Sequence, residues 1–169
     1  PKAIGVGQYQ HDMPQARLDE ALSGVVEDCV NAVGVDLNTA SAPLLTRVAG
    51  LNNATAKNIV KYREENGAFA SRKELLKVPK LGPKAFQQCA GFLRVPESAN
   101  VLDNTAVHPE SYAAAEKLLA LCGYDLPAVK AGAIGDLRDR VAAYGEERAA
   151  QACGVGVPTL RDVTAELMK

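Results

Sequence analysis

Apolar positions recur at helical spacing along almost the whole chain. Leu18, Ala21, Leu22, Val25, Cys29 and Val33 step by three, four and seven residues, which predicts a long amphipathic helix. Pro14 suits its first position and Gly34 its stop. Thr39 or Ser41 can cap a short helix reaching Val48, and a tight turn over residues 49–53 follows. The next helix, about 54–66, carries Ala56, Ile59, Val60 and Tyr62 and ends at Gly67. Ser71-Arg72-Lys73-Glu74 has the pattern of a capping box opening a short helix to Lys77. A second tight turn spans 78–82, and Pro83 opens a helix to about Leu93. Residues 96–103 are polar and irregular, which marks a boundary. Pro109 then opens a helix with Tyr112, Ala115, Leu118, Leu119 and Cys122, closed by Gly123, and shorter helices fall near 134–144, 146–153 and 159–168. Only residues 3–7 have strand character; after Gly7 no strand pattern competes with the helical one. The expected fold is all-α. Its parts are a leading segment 1–13, a connecting amphipathic helix 14–37, a central domain 38–95 and a helical subdomain 96–169.

The central domain repeats a unit of helix, apolar-glycine hairpin and helix. Its first copy runs from Leu44 through Arg47, Val48, Gly50 and Leu51 to Asn52, and its second from Leu75 through Lys77, Val78, Lys80, Leu81 and Gly82 to Pro83 and Lys84. In each, one apolar side chain, Leu51 or Leu81, can plug the gap between the helices, and glycine permits a positive φ in the turn. Such a tandem helix-hairpin-helix arrangement turns the free amides of the hairpin and of the next helix's first turn outward. Together with the helix dipole they make a phosphate site that reads no base edge. The expected contact set is Gly50, Leu51, Asn52, Asn53, Thr55 and Lys57 in the first copy, and Lys77, Lys80, Leu81, Gly82 and Lys84 in the second. Both copies depart from a full Gly-apolar-Gly. Asn52 replaces the second glycine of the first, where asparagine tolerates left-handed backbone. Lys80 replaces the first glycine of the second, and Pro83 deletes an amide. By this donor count the first hairpin ranks ahead. A glycine-rich turn between short helices is also a packing device, so a scaffold role, with degenerate hairpins that orient neighbouring domains, is the alternative. A third hairpin-like run, Cys153-Gly154-Val155-Gly156-Val157-Pro158, keeps both glycines, but residues 134–169 hold five bases against six acids, which favours packing there.

Charge sharpens this picture. The net charge is −1, yet residues 41–95 hold ten bases and three acids, +7, between flanks that each carry −4. A basic block between acidic flanks points to an anionic partner, although a solvated basic face would give the same count. Other chemistry is sparse. The cysteines, Cys29, Cys89, Cys122 and Cys153, lie far apart inside helical apolar patterns and read as buried free thiols, consistent with a reducing cytoplasm. The two histidines, His11 and His108, have no partner at ligand spacing, so no metal or cofactor is expected, and His108-Pro109 reads as a helix start. Asp12 and Asp103 read as turn or cap residues. No nucleophile–base pair, phosphate loop or paired carboxylate appears, so no enzyme is expected. No apolar run approaches the roughly 20 residues of a membrane span, and no secretory leader is recognisable. The absence of Met at position 1 gives the chain the look of a piece of a longer protein.

Residues 36–40 through 63–69 resemble the hairpin domain of DNA-uptake competence proteins. A wider likeness runs through Ile4-Gly5-Val6-Gly7-Gln8-Tyr9-Gln10-His11-Asp12, residues 26–36, Ala90-Gly91-Phe92-Leu93-Arg94, Val107-His108-Pro109-Glu110-Ser111-Tyr112 and Gly154-Val155-Gly156-Val157-Pro158-Thr159-Leu160-Arg161-Asp162. These segments resemble, in order, the Tex family of bacterial transcription accessory proteins. The resemblance implies a multi-domain cytoplasmic protein that binds nucleic acid, DNA or RNA, and works with the transcription machinery. It makes residues 1–13 the tail of an upstream RNase-H-like domain and places an OB-fold RNA-binding domain downstream that carries much of the affinity. The family's eukaryotic counterpart is an elongation factor that also handles histones. The function expected is a non-enzymatic, sequence-independent nucleic-acid-binding part of such a factor, monomeric and without a membrane association. An accessory domain of a repair nuclease would need catalytic carboxylates outside this chain.

Overall fold

The computed structural model describes residues 14–169. The readings made for residues 1–13 lie outside it. Nine α-helices occur among the described residues: α1 Gln15–Val33, α2 Ala42–Leu45, α3 Asn53–Asn66, α4 Pro83–Cys89, α5 Tyr112–Leu121, α6 Leu126–Lys130, α7 Leu137–Tyr144, α8 Glu146–Cys153 and α9 Val157–Leu167. Short 3₁₀ turns at Arg72–Lys77, Ala90–Phe92, Val101–Asn104 and Pro109–Ser111 link them. The expected absence of strands needs one correction. Val35–Asp36 (β1) and Leu93–Arg94 (β2) pair in parallel, Val35 opposite Leu93. Both flank the first core, and their side chains Val35 and Leu93 are buried in it, so two short extended ends satisfy each other's backbone. The helix expected to reach Leu93 therefore stops at Cys89 and tightens to 3₁₀ before entering β2.

Two apolar cores organise the chain. Leu37, Leu45, Val48, Ile59, Phe69, Leu75, Val78, Leu81, Cys89 and Leu93 fill the first, with Tyr62 stacked on Phe69 at 5.1 Å between ring centres. Leu102, Val107, Ala115, Leu118, Leu119, Leu137, Cys153, Leu160 and Val163 belong to the second, assembled from α5 and α7–α9. Helix α1 has the length its pattern implies, but only Leu18 of its apolar stripe is buried. Val25 is 58% and Val33 80% exposed. Its other face grips the first hairpin through polar groups. The Asn31 side chain accepts from the Ala49 amide at 3.1 Å, and Glu27 pairs with Arg47 at 3.1 Å. Cys29 lies on the open side of α1 and is exposed, against the expectation of four buried thiols; Cys89, Cys122 and Cys153 are buried. Burial pushes the Cys89 thiol up to about 12.

Local caps settle several turns. Ser41, not Thr39, caps α2 by accepting from the Leu44 amide, while the Thr39 hydroxyl donates to Asp36. The capping box expected at Ser71 is absent. Ser71 makes no side-chain cap, and the Glu74 carboxylate instead accepts from the Ala70 amide at 2.8 Å. That amide, together with Lys77, holds the Glu74 carboxyl below its usual range.

The two cores are joined at Arg72, which is fully buried. Its guanidinium donates to the carbonyl oxygens of Leu93 (2.6 Å), Val107 (2.7 Å) and Thr105, and to the Tyr112 hydroxyl (3.0 Å). Asp103, also buried, accepts from Tyr112 (2.6 Å), Ser98 (2.7 Å) and the Arg72 amide (3.3 Å). Burial lowers the Arg72 pKa, and Asp103 and Tyr112 oppose that. One side chain thus ties the first core's last strand to the loop and helix that open the second.

Candidate nucleic-acid interface

The two central hairpins have the same construction. In the first, Leu51 N–H donates to the Val48 carbonyl at 3.1 Å; in the second, Leu81 N–H donates to the Val78 carbonyl at 3.2 Å. Gly50 (φ +81°) and Lys80 (φ +66°) occupy the same left-handed position. Leu81 is buried and Leu51 packs partly against the same core, so these leucines act as the plugs their placement implies rather than as surface contacts. In the run at 153–160 Gly154 also has positive φ (+75°), but it caps the end of α8, where the Val155 amide returns to the Ala150 carbonyl, five residues back rather than three.

Each hairpin is braced by the other copy's helix. A Cβ on Gly50 would come within 2.5 Å of the Gln88 Cβ and 3.3 Å of the Ala85 carbonyl oxygen, both on α4. Reciprocally, the Asn58 side-chain amide of α3 donates to the Pro79 carbonyl of the second hairpin at 2.8 Å. This crossed bracing fixes the two turns relative to one another. Gly50 is therefore required twice over, by its φ and by the close approach of α4.

The amide inventory reverses the order read from sequence. Asn52 is not left-handed; its φ is −124° and it caps α3. Its side-chain oxygen accepts from the Ala54 and Thr55 amides at 2.9 Å each, and the Thr55 hydroxyl accepts from the Asn52 amide at 2.8 Å. The first turn of α3 is thus internally satisfied, and Thr55 is buried as part of that box. Of the first copy, Gly50 and Asn53 retain amides with no acceptor among the described residues. In the second copy Gly82 caps α4 without a side chain, so three amides, of Gly82, Lys84 and Ala85, stay open despite the loss at Pro83. A groove of about 430 Å³ beside the first hairpin is lined by Ala42, Pro43, Thr46, Asn52, Asn53 and Lys57.

Charge is also redistributed. Of the ten bases in residues 41–95, Arg72 is buried in the joint between the cores. Arg47, Lys61 and Lys77 pair with Glu27, Glu65 and Glu74. Arg63 and Arg94 donate to the carbonyls of Leu37 and Gly91. Lys57, Lys73, Lys80 and Lys84 are exposed, and no carboxylate pairs with them among the described residues. Lys77 therefore contributes less than its sequence position suggests. Lys73, absent from the expected set, is a free cation instead. Sequence offers no signal for that exchange, because it depends on which lysine reaches Glu74. Among the described residues no group of His, Cys, Asp and Glu is placed to hold a metal ion, and no helix is long and apolar enough to cross a membrane.

Known proteins show the same organisation. Residues 30–94 match the helix-hairpin-helix motif family, and residues 100–169 match a second family described as an HHH domain. The third hairpin thus lies in a helix-hairpin-helix domain of its own. The whole chain is 55% identical to a transcriptional accessory protein Tex of Neisseria gonorrhoeae and 54% identical to protein YhgF of Escherichia coli. Over 56% of its length it is 58% identical to the human S1 RNA-binding domain-containing protein 1. The chain spans 22% of the Neisseria protein and 21% of the Escherichia coli one. With two consecutive hairpin domains and more than half its residues shared along its full length, the chain belongs to the Tex family.

Proposed function

We propose that this chain is a non-enzymatic, sequence-independent nucleic-acid-binding part of a transcription accessory factor that works in the cytoplasm. One observation carries the reading: two hairpins braced against each other's helices, with open amides at Gly50, Asn53, Gly82, Lys84 and Ala85 and unpaired lysines at 57, 80 and 84. Amides of this kind bind phosphate oxygens without reading bases, and the ammonium groups release counterions from the backbone. The family match and the names of the relatives, one a transcriptional accessory protein and one bearing an RNA-binding S1 domain, support the same reading. The transcription machinery is the expected protein partner, and the chain acts as a monomer in this account.

Charge reversal tests it. Lys80→Glu with Lys84→Glu is expected to abolish binding of a random-sequence fluorescent DNA duplex or RNA strand while leaving the urea midpoint unchanged, because both side chains are exposed and unpaired. Unchanged affinity would leave the hairpins with a packing role only.

A further inference from the structure

The chain contains one asparagine followed by glycine, Asn66-Gly67; its other asparagines all precede residues that carry a Cβ. That pair has its own chemistry. Without a Cβ in the way, the backbone nitrogen of the glycine can reach the side-chain carbonyl of the asparagine. The Gly67 nitrogen gives up its proton and bonds to the Asn66 Cγ. The Cγ–Nδ2 bond breaks and ammonia leaves, closing a five-membered succinimide. Water then opens the ring at one of its two carbonyls. Attack at Cγ gives aspartate, and attack at the main-chain carbonyl gives isoaspartate. Water is the sole co-reactant, and nothing is oxidised or reduced.

The structure sets how far this pair is protected. Asn66 is the last residue of α3 and Gly67 its C-cap, and both are exposed. Nothing lies within 4 Å of where a Gly67 Cβ would be, so the space beside the pair is open. Two hydrogen bonds hold the reacting groups apart. The attacking nitrogen, of Gly67, donates to the Arg63 carbonyl at 2.9 Å, and the leaving nitrogen, Asn66 Nδ2, donates to the Tyr62 carbonyl at 2.9 Å. Both belong to the final turn of α3, where Glu64, Glu65 and Asn66 are all exposed, so opening that turn uncovers little apolar surface. We propose that Asn66-Gly67 is a site of spontaneous conversion to aspartate and isoaspartate, reached by local opening of this turn. The product matters to the fold. Either form adds a negative charge at the carboxyl end of α3, the unfavourable end of its dipole, beside Glu64 and Glu65. Isoaspartate also lengthens the main chain by one carbon three residues before Phe69. That residue is buried, held on both backbone groups by the Asn38 side chain (2.8 and 3.0 Å) and stacked on Tyr62. The lesion therefore pulls on a plug of the first core.

The test incubates the whole chain at mildly alkaline pH and follows two signals on its peptides: the mass gained when ammonia is lost and water added, and methyl transfer by a protein isoaspartyl methyltransferase. Both should appear first at Asn66 and be absent there in Asn66→Gln, whose longer side chain would close a less favourable six-membered ring. The same incubation in urea, below the unfolding transition, separates local from global opening. Local opening exposes little surface, so the rate should be nearly flat in urea. A rate that climbs with the slope of global unfolding would overturn the proposed route. So would conversion at another asparagine first, or none at Asn66 over a period in which the urea-unfolded chain converts fully. Chain enriched in isoaspartate should unfold at lower urea than fresh chain, and an unchanged midpoint would overturn the claimed pull on Phe69.

Discussion

Arg72→Met removes the one charge that ties the two cores together, and the structure sets its cost. Methionine can fill the aliphatic path but donates nothing. Three backbone carbonyls, of Leu93, Val107 and Thr105, lose their guanidinium donor in a buried setting, and the Tyr112 hydroxyl loses a donor while keeping its bond to Asp103. Asp103, 3% exposed, loses the neighbouring cation. A buried acceptor left unmade costs about 1–3 kcal/mol, and such losses do not add fully. The guanidinium and the Asp103 carboxylate meet through the Tyr112 hydroxyl rather than as a direct ion pair, so the cost comes from the unmade hydrogen bonds. The expected loss is therefore about 4 kcal/mol, a large share of the roughly 5–15 kcal/mol available to a domain. With a urea slope of about 2 kcal/mol per molar, the midpoint drops by about 2 M. Arg72→Lys should fall between, since it keeps the charge and loses the planar fork. The double variant Arg72→Met with Asp103→Asn should be less destabilised than the sum of the singles. A loss under about 1 kcal/mol for Arg72→Met would refute the claim that this network joins the cores.

Gly50→Ala should cost about 2–3 kcal/mol in urea unfolding, combining a left-handed alanine with the 2.5 Å approach to Gln88, whereas Gly154→Ala should cost only the conformational part, about 1–2 kcal/mol; equal losses would contradict the bracing role of α4. A thiol reagent at mildly alkaline pH should modify Cys29 rapidly in the folded chain and the other three cysteines only on unfolding, because burial raises the pKa of Cys89, Cys122 and Cys153 and denies access; more than one fast thiol would contradict it. Glu74 has a folded pKa below the ordinary 4.5, so its contribution is full above that value and is lost as pH falls through the lower folded one. Urea midpoints measured across that acidic window should fall less steeply for Glu74→Gln than for the wild type, and identical slopes would remove the Ala70 and Lys77 contacts as its cause.

What the sequence could and could not disclose follows from range. The hairpins were legible because their signal is local: an apolar residue beside glycine, repeated at one spacing, sets the turn and the buried plug at Leu51 and Leu81. Gly34, Gly67 and Pro83 marked helix ends for equally local reasons. The β1–β2 pairing was not legible, since it joins two-residue segments almost sixty positions apart. In sequence Arg72 is one of the ten bases of residues 41–95 like any other, because nothing in its neighbours announces that residues 93–112 will close over it. The capping box was placed on Ser71 and Glu74, where the spacing fits, while Asn52 and Thr55 formed one without the usual acidic residue. That exchange also reversed the donor order of the two hairpins. It leaves Lys84, already in the expected contact set, and Ala85 as the open pair of amides in the first turn of α4, beyond the one that Pro83 lacks. The α1 stripe had the periodicity of a buried face, and periodicity alone does not say what covers it.

The central claim is that these hairpins hold phosphates, and the most direct measurement is the dissociation constant for a random-sequence nucleic acid as a function of salt. With two to four phosphates engaged, log affinity should fall against log salt with a slope of about −2 to −4, equally for unrelated sequences. Salt-independent binding, a strong preference for one sequence, or no binding at micromolar protein would contradict it.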